Sequence, residues 1–370
     1  MNTSTYSRKD TNVLKGIGVL LLMMHHCLNK KYPFTLVLLK EPHAYLPYIT
    51  DMAKVCVFIF LFASGLGMFR SFEKKLSAEG KPVKSTLRFE LSHFIKFYQM
   101  FWFIYLIFVP LGTAFGRDPG AIYRHKTAYF LYDFFGISYI AKKVLFIPTW
   151  WYNSILLMCY LLMPLFFLFL RKLPKVVNAI VLGITIAVSL TLPYVREQSY
   201  VIYFVPFFLG MIAARYNIME SMRKALSRNT VQKILKLLIL LVLLTAFICV
   251  RLTLMKKAKY NYELDWIPAV LIALLADGYL PKETVVSRFL QTLGSHSGNI
   301  YLFHGFIYSL YFSKFFYSFE YAPLVYIFGI FLFLGVSKLF DVIKDAIGYN
   351  AAFKRLIDKV NGVSSEKKAA

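Results

Sequence analysis

The 370-residue chain is 58% hydrophobic, 18% aromatic and 17% charged, with a formal net charge of +24 and a mean hydropathy of +0.56. Soluble domains run about 45–50% apolar and about 25% charged, so the composition excludes an ordinary soluble domain and points to an all-α polytopic membrane protein with little outside the bilayer. In such a protein the positive charge belongs to cytoplasmic loops, with anionic lipid or an anionic cytosolic ligand as further partners, and not to nucleic acid. The four cysteines all sit in apolar runs and none forms a CxxC pair, which excludes a disulfide framework and a zinc site.

In chain order, ten apolar runs are long enough to cross a bilayer, which takes about 20 residues. They are 13–29, 51–70, 97–115, 149–170, 176–194, 200–215, 232–252, 264–280, 297–316 and 322–341. The first holds internal charge and lacks an A-x-A site, so it is read as a retained span and not as a cleaved signal. Residues 1–12 form a cytoplasmic tail, 13–341 the membrane domain and 342–370 a basic cytoplasmic tail.

An eleventh run, 127–140, is short and holds Asp133. With ten spans and the N-terminus inside, the cytoplasmic segments after Ile140 carry 18 Lys and Arg and the outer ones 8. An eleventh span swaps the two sides and breaks the positive-inside bias, so 127–140 is read as an outer interfacial or re-entrant piece. The first cytoplasmic loop, 70–96, carries seven Lys and Arg against three Glu. Its last part, "LRFELSHFIKFY", reads as an amphipathic helix at the inner surface.

Ionisable residues within the spans cost a few kcal/mol on insertion scales and usually face a cavity or a partner. Lys15 and His26 are eleven residues apart, three helical turns plus about 20°, so they share a face about 16 Å apart along the axis. For Lys15, snorkelling to the inner head groups competes with function. For His26, a hydrogen bond between helices competes with chemistry. His25 points about 100° away from His26 and is read as an interfacial residue without a role in the chemistry.

His304, in "SGNIYLFHGFIYSLYF", falls mid-span and divides between helix packing and function. In "FLFASGLGMF", Ser64 and Gly65 read first as a small-residue helix contact. Trp151 and Asn153, in "PTWWYNSILLMCYLLMPLF", combine an interface belt with a polar group able to orient a substrate. Walker A, HExxH and GxSxG motifs are all missing from the sequence. The chemistry most available is acid–base work by a histidine.

Taken together, these segments resemble the membrane acyltransferase type 3 family. "LKGIGVLLLMMHH" matches its first-span hallmark, a basic residue, ten residues, then histidine, with Lys15 in place of the usual Arg. "VFIFLFASGLGMF", "TWWYNSILLMCYLLMPLF", "VPFFLGMIAAR" and "SGNIYLFH" follow in the family's order. The resemblance implies a ten-span O-acyltransferase, mostly O-acetyl, of cell-surface glycans. It implies His26 as the essential histidine, cytosolic acyl-CoA as donor and no permanently bound cofactor or metal. The acceptor is a hydroxyl of an extracytoplasmic or lipid-linked glycan.

Arg70 and Arg88, in the basic loop, are the candidate landing site for the polyanionic donor. Lys15 joins His26 on the reaction path, and His304, Asn153, Trp151 and Ser64 are candidate substrate contacts. The expected location is the cell membrane, with both termini cytoplasmic. A transporter or flippase for a glycan or lipid is the rival reading, and it predicts internal repeats and broken helices.

Overall fold

The computed structural model describes residues 6–28, 42–80, 82–191, 200–226, 229–256, 262–319 and 321–362. The ends of both expected tails (1–5 and 363–370), residue 29 of the first run and residues 192–194 of the fifth lie outside these. Every regular element among the described residues is helical. In chain order they are α1 (Arg8–Cys27), α2 (Pro42–Met52), α3 (Cys56–Glu79), α4 (Pro82–Leu111), α5 (Pro119–Ile122), α6 (Thr127–Phe134), α7 (Trp151–Lys172), α8 (Lys175–Thr191) and α9 (Val201–Arg215). Then follow α10 (Ile218–Leu226), α11 (Thr230–Lys256), α12 (Trp266–Tyr279), α13 (Val285–Ser295), α14 (Ser297–Gly305), α15 (Ser313–Phe316), α16 (Ala322–Ala346) and α17 (Tyr349–Asn361).

All ten apolar runs contain helix, but length and apolar composition together single out five spans: Leu46–Glu79, Pro82–Phe115, Pro148–Lys172, Thr230–Leu254 and Ala322–Ala346. A sixth arises if α9 and α10, bent by 63° at their junction, count as one. The others fall short for identifiable reasons. α1 carries Arg8, Lys9, Asp10 and Lys15, while α8 and α12 are apolar but short. Outward apolar surface is plainest on α11, where only 17% of the apolar window is buried and Leu235, Leu238, Val242 and Val250 are exposed. The eight-residue α6 rises about 12 Å, well below the roughly 30 Å hydrocarbon core.

The chain divides into two compact units. Unit 1 is Met1–Ser71 with Leu165–Ser297, and unit 2 is Phe72–Pro164 with Gly298–Ala370. Within unit 1, a capping box between Ser7 and Asp10 starts α1, satisfying N–H groups the first turn would otherwise leave bare. α1 then crosses α13 at backbone contact. A Cβ on Gly16 would lie 2.1 Å from the Leu290 carbonyl oxygen, and one on Gly294 1.8 Å from that of Asn12. α3 and α9 cross the same way, through Gly65 against Phe207 and Gly210 against Phe62. Small residues let helix backbones approach where lipid offers no hydrophobic drive between helices.

Unit 2 is built on α4 and an aromatic core of Phe101, Tyr105, Trp150 and Phe306, with Trp150 1% exposed. α17 docks along α4 and the end of α3: the Lys75 ammonium and the Ser92 hydroxyl both donate to Asn361 Oδ1, and the Tyr349 hydroxyl donates to the Gln99 carbonyl. Residues 116–147 fold around Asp133, which is fully buried. The Tyr123 hydroxyl and the Phe146 N–H each donate to its Oδ2 at 2.8 Å. Gly136, at φ +71°, turns the chain so that its carbonyl accepts from Ser154 at 2.7 Å.

Candidate active site

Lys15 and His26 lie on α1 with both side chains half-buried, three turns apart on one face as the spacing requires. No hydrogen bond or ion pair joins the Lys15 ammonium to another described residue. Its neighbour in charge is Arg8. The His26 ring meets His25 edge-on, with centroids 4.6 Å apart. His25 turns the other way and its Nδ1 lies 2.7 Å from the Thr50 carbonyl oxygen. A carbonyl only accepts, so Nδ1 carries the proton and donates. His25 thus staples the end of α1 to α2, a task the sequence did not reveal.

A buried ionic clamp holds the segment that His25 grips. Arg251, 3% exposed, donates to the carbonyls of Met52 (2.8 Å) and Asp51 (2.9 Å) and to Asp265 Oδ2 (2.9 Å). The Tyr262 hydroxyl donates to Asp51 Oδ1, and the Lys54 ammonium sits 3.4 Å above the Tyr262 ring centroid. Arg251, Asp265 and Lys54 are not among the candidate residues that the sequence singles out. The available signal was an ionisable residue at the end of one apolar run and another at the start of the next.

Ser64 sits half-buried on α3 beside Gly65, where the close crossing with α9 occurs. Arg70, further along α3, is engaged: it donates to the Tyr6 carbonyl at 2.6 Å and to Glu220 Oε1 at 2.5 Å. The Tyr6 N–H also donates to Glu220, so Arg70 pins the start of the chain to α10.

In unit 2, the start of α7 meets α14. Trp150 Nε1–H donates to the Leu302 carbonyl at 2.9 Å, and the Tyr301 hydroxyl donates to the Thr149 carbonyl at 2.8 Å. These bonds gather Asn153 and His304 into one neighbourhood. His304 is fully buried. Its Nδ1 donates to the Tyr301 carbonyl at 2.8 Å, and its ring stacks on Tyr308 at 5.6 Å. The neutral ring therefore presents Nε2 as an acceptor.

Asn153 is 1% exposed, yet neither its amide oxygen nor its nitrogen has a hydrogen-bond partner among the described residues, and Thr149 Oγ1 is in the same state. Trp151 lies half-buried against Tyr139 and Tyr152. Arg88, also in unit 2, stands 3.8 Å from Glu79 Oε2 and packs on Gly362 at the end of α17.

The eight candidates thus fall into two sets: Lys15, His26, Ser64 and Arg70 in unit 1, and Arg88, Trp151, Asn153 and His304 in unit 2. Among the described residues no three His, Cys, Asp or Glu side chains are placed to hold a metal ion. Burial pushes the Asp133 carboxyl up to about 7, against the hydrogen bonds donated by Phe146 and Tyr123.

A family model described as an acyltransferase domain, of the type 3 acyltransferases, matches residues 8–342. No curated protein matches the chain. No solved structure matches it.

Proposed function

The chain belongs to the type 3 membrane acyltransferase family, and on that premise we propose that it moves an acetyl group from cytosolic acetyl-CoA to a hydroxyl of a cell-envelope glycan. The observation that carries the reading is the family match across residues 8–342, together with a basic residue and a histidine sharing one face of α1. The alternative of a glycan or lipid transporter draws no support from that match.

In the proposed reaction the acceptor hydroxyl oxygen bonds to the thioester carbonyl carbon and the C–S bond breaks. The hydroxyl proton passes to His26 and ends on the departing sulfur. The variant in which His26 itself carries the acetyl group as an acyl-imidazole balances equally. Lys15 faces the donor end of this path and His26 the acceptor end, with ten spans and both termini in the cytoplasm.

Asn153 and Thr149 offer unmade hydrogen bonds to the acceptor, with His304 and Trp151 of the same unit as further substrate contacts, and Ser64 is a candidate contact on unit 1. Arg70 and Arg88 are candidates for the donor phosphates. Arg70 can serve only by sharing or releasing its hold on Tyr6 and Glu220.

The test is direct. Membranes from cells expressing the chain receive acetyl-CoA labelled in the acetyl group. The proposal predicts label in alkali-labile esters on envelope glycans, absent from membranes of the empty host. Equal labelling in both overturns it.

A further inference from the structure

In unit 2, on α4, lies a cluster of polar side chains that the site above does not use. Glu90 is half-buried, yet both its carboxylate oxygens are sealed from solvent and neither has a hydrogen-bond partner among the described residues. His93 lies one turn on, about 60° round the helix and 4.5 Å along it. Its Nδ1 donates to the Phe89 carbonyl at 2.9 Å, which leaves Nε2 of the neutral ring as an acceptor.

Tyr160 of α7 closes the cluster. Its ring stands edge-on to His93 at 5.9 Å and to Phe94 at 6.1 Å, and it lies within electrostatic reach of Glu90. The Phe89 ring packs at a tilt against His93, with centroids 4.0 Å apart, and against Phe72 at 4.9 Å. The result is an apolar, aromatic wall carrying two acceptors and a phenol.

A buried carboxylate without donors is expensive, and no described residue supplies one to Glu90, which leaves the place open to a partner from outside the described residues. That partner has to bring N–H or O–H donors on an otherwise apolar stem. A metal ion fits poorly, since no three ligating side chains converge among the described residues. An arginine-rich or phosphate-rich ligand fits poorly too, because the cluster adds no second carboxylate and no guanidinium. Exposed Lys96, three residues beyond His93 on α4, acts electrostatically on the imidazole.

We propose that Glu90, His93 and Tyr160 form the subsite for the pantetheine arm of the acyl-CoA donor, the Glu90 carboxylate and His93 Nε2 accepting from its amide N–H groups. This rests on the acyl-CoA reading above and deepens it. The arm is a thin, largely apolar chain interrupted by two secondary amides, which is the donor pattern the cluster lacks. The adenine nucleotide end remains with the basic loop.

The experiment uses the full-length protein in native membrane vesicles, whose envelope glycans supply the acceptor hydroxyl, with initial rates of thiol release from acetyl-CoA and thermal unfolding measured together. Glu90→Gln weakens the acceptor and Glu90→Leu removes it. Loss of one charge-assisted hydrogen bond corresponds to about tenfold or more in apparent affinity. The expected result is a KM for acetyl-CoA raised about tenfold by Glu90→Leu and less by Glu90→Gln, with kcat nearly unchanged.

Glu90→Leu should also unfold at a higher temperature than wild type, because an unsatisfied buried carboxylate has gone. A merely structural Glu90 gives the reverse, a lower unfolding temperature with KM unmoved, and that overturns the subsite. An active wild type whose KM is indifferent to both variants overturns the subsite and leaves the acyltransferase reading standing. A wild type that neither turns over acetyl-CoA nor binds coenzyme A overturns both.

Discussion

Gly16→Ala tests the positioning of α1, because this helix carries both Lys15 and His26. The added Cβ would lie 2.1 Å from the Leu290 carbonyl oxygen, 2.8 Å from its carbon and 2.9 Å from its Cα, where ordinary contact begins at 3.4 Å. All three atoms are backbone, so no rotamer change relieves the overlap. α1 and α13 must part by about 1 Å at this crossing. Overpacking of this kind costs about 1–3 kcal/mol, and a misplacement of about 1 Å costs about 10²-fold in rate.

The assay is acetyl transfer and thermal unfolding at matched membrane levels. Gly294→Ala, whose Cβ meets the Asn12 carbonyl oxygen at 1.8 Å, should behave alike. The double variant should lose less than the sum of the two, since both open the same gap. Gly67→Ala, with nothing within 4 Å of its Cβ, is the control. If Gly16→Ala transfers and unfolds like wild type, the backbone crossing is not what positions α1 and the reasoning fails.

The Asp133 carboxyl, raised from its ordinary 3.8 to about 7 by burial, holds a proton in the folded state that the unfolded chain has already released. Stability therefore falls as pH rises through the window from about 4 to 7 and levels off above it, by up to roughly 4 kcal/mol. Unfolding temperatures at pH 5, 6 and 8 should show that slope in wild type and a flatter one in Asp133→Asn, and a flat wild-type profile contradicts the assignment. Arg251→Met strands Asp265 and two carbonyls, and should destabilise by about 3–5 kcal/mol. Adding Asp265→Leu should recover part of that loss, and full additivity of the two would rule out the clamp. Asn153→Leu fills the same volume without the unmade hydrogen bonds, which cost about 1–3 kcal/mol. It should raise the unfolding temperature while lowering acetyl transfer, and a fall in both would mean Asn153 is a structural residue.

Much of the helix layout was legible because each long helix buries or exposes an unbroken apolar run. What stayed hidden were the helices without one. α13, VVSRFLQTLGS, is short and mixed in polarity, and reads as part of a cytoplasmic loop. It is nevertheless the close partner of α1, through a glycine contact no periodicity reports. α2 contains Pro47 in its interior, a signal that argues against helix. α17 alternates charge and aliphatics in what reads as a tail, and becomes a helix because α4 supplies Gln99 and Ser92 to dock it.

At the candidate site, the spacing of Lys15 and His26 placed both on one face, since eleven residues nearly close three turns. The separate role of His25 was half legible. Its direction away from His26 followed from helix geometry, but its bond to Thr50 depends on a helix the sequence did not announce. The Arg251–Asp265 pair joins two runs whose ends meet only in three dimensions, and the unpartnered state of Asn153 and Glu90 is a tertiary property altogether.

The measurement that bears most directly on the central claim compares wild type, His26→Ala and His25→Asn for ester-linked acetate on envelope glycans at matched protein levels. Asparagine keeps a donor near the position of Nδ1 for the Thr50 carbonyl while removing the imidazole, so His25→Asn leaves the staple in place. The account predicts that His26→Ala abolishes acetate and His25→Asn retains most of it. Acetate unchanged in His26→Ala contradicts the claim that this histidine is the centre of the reaction.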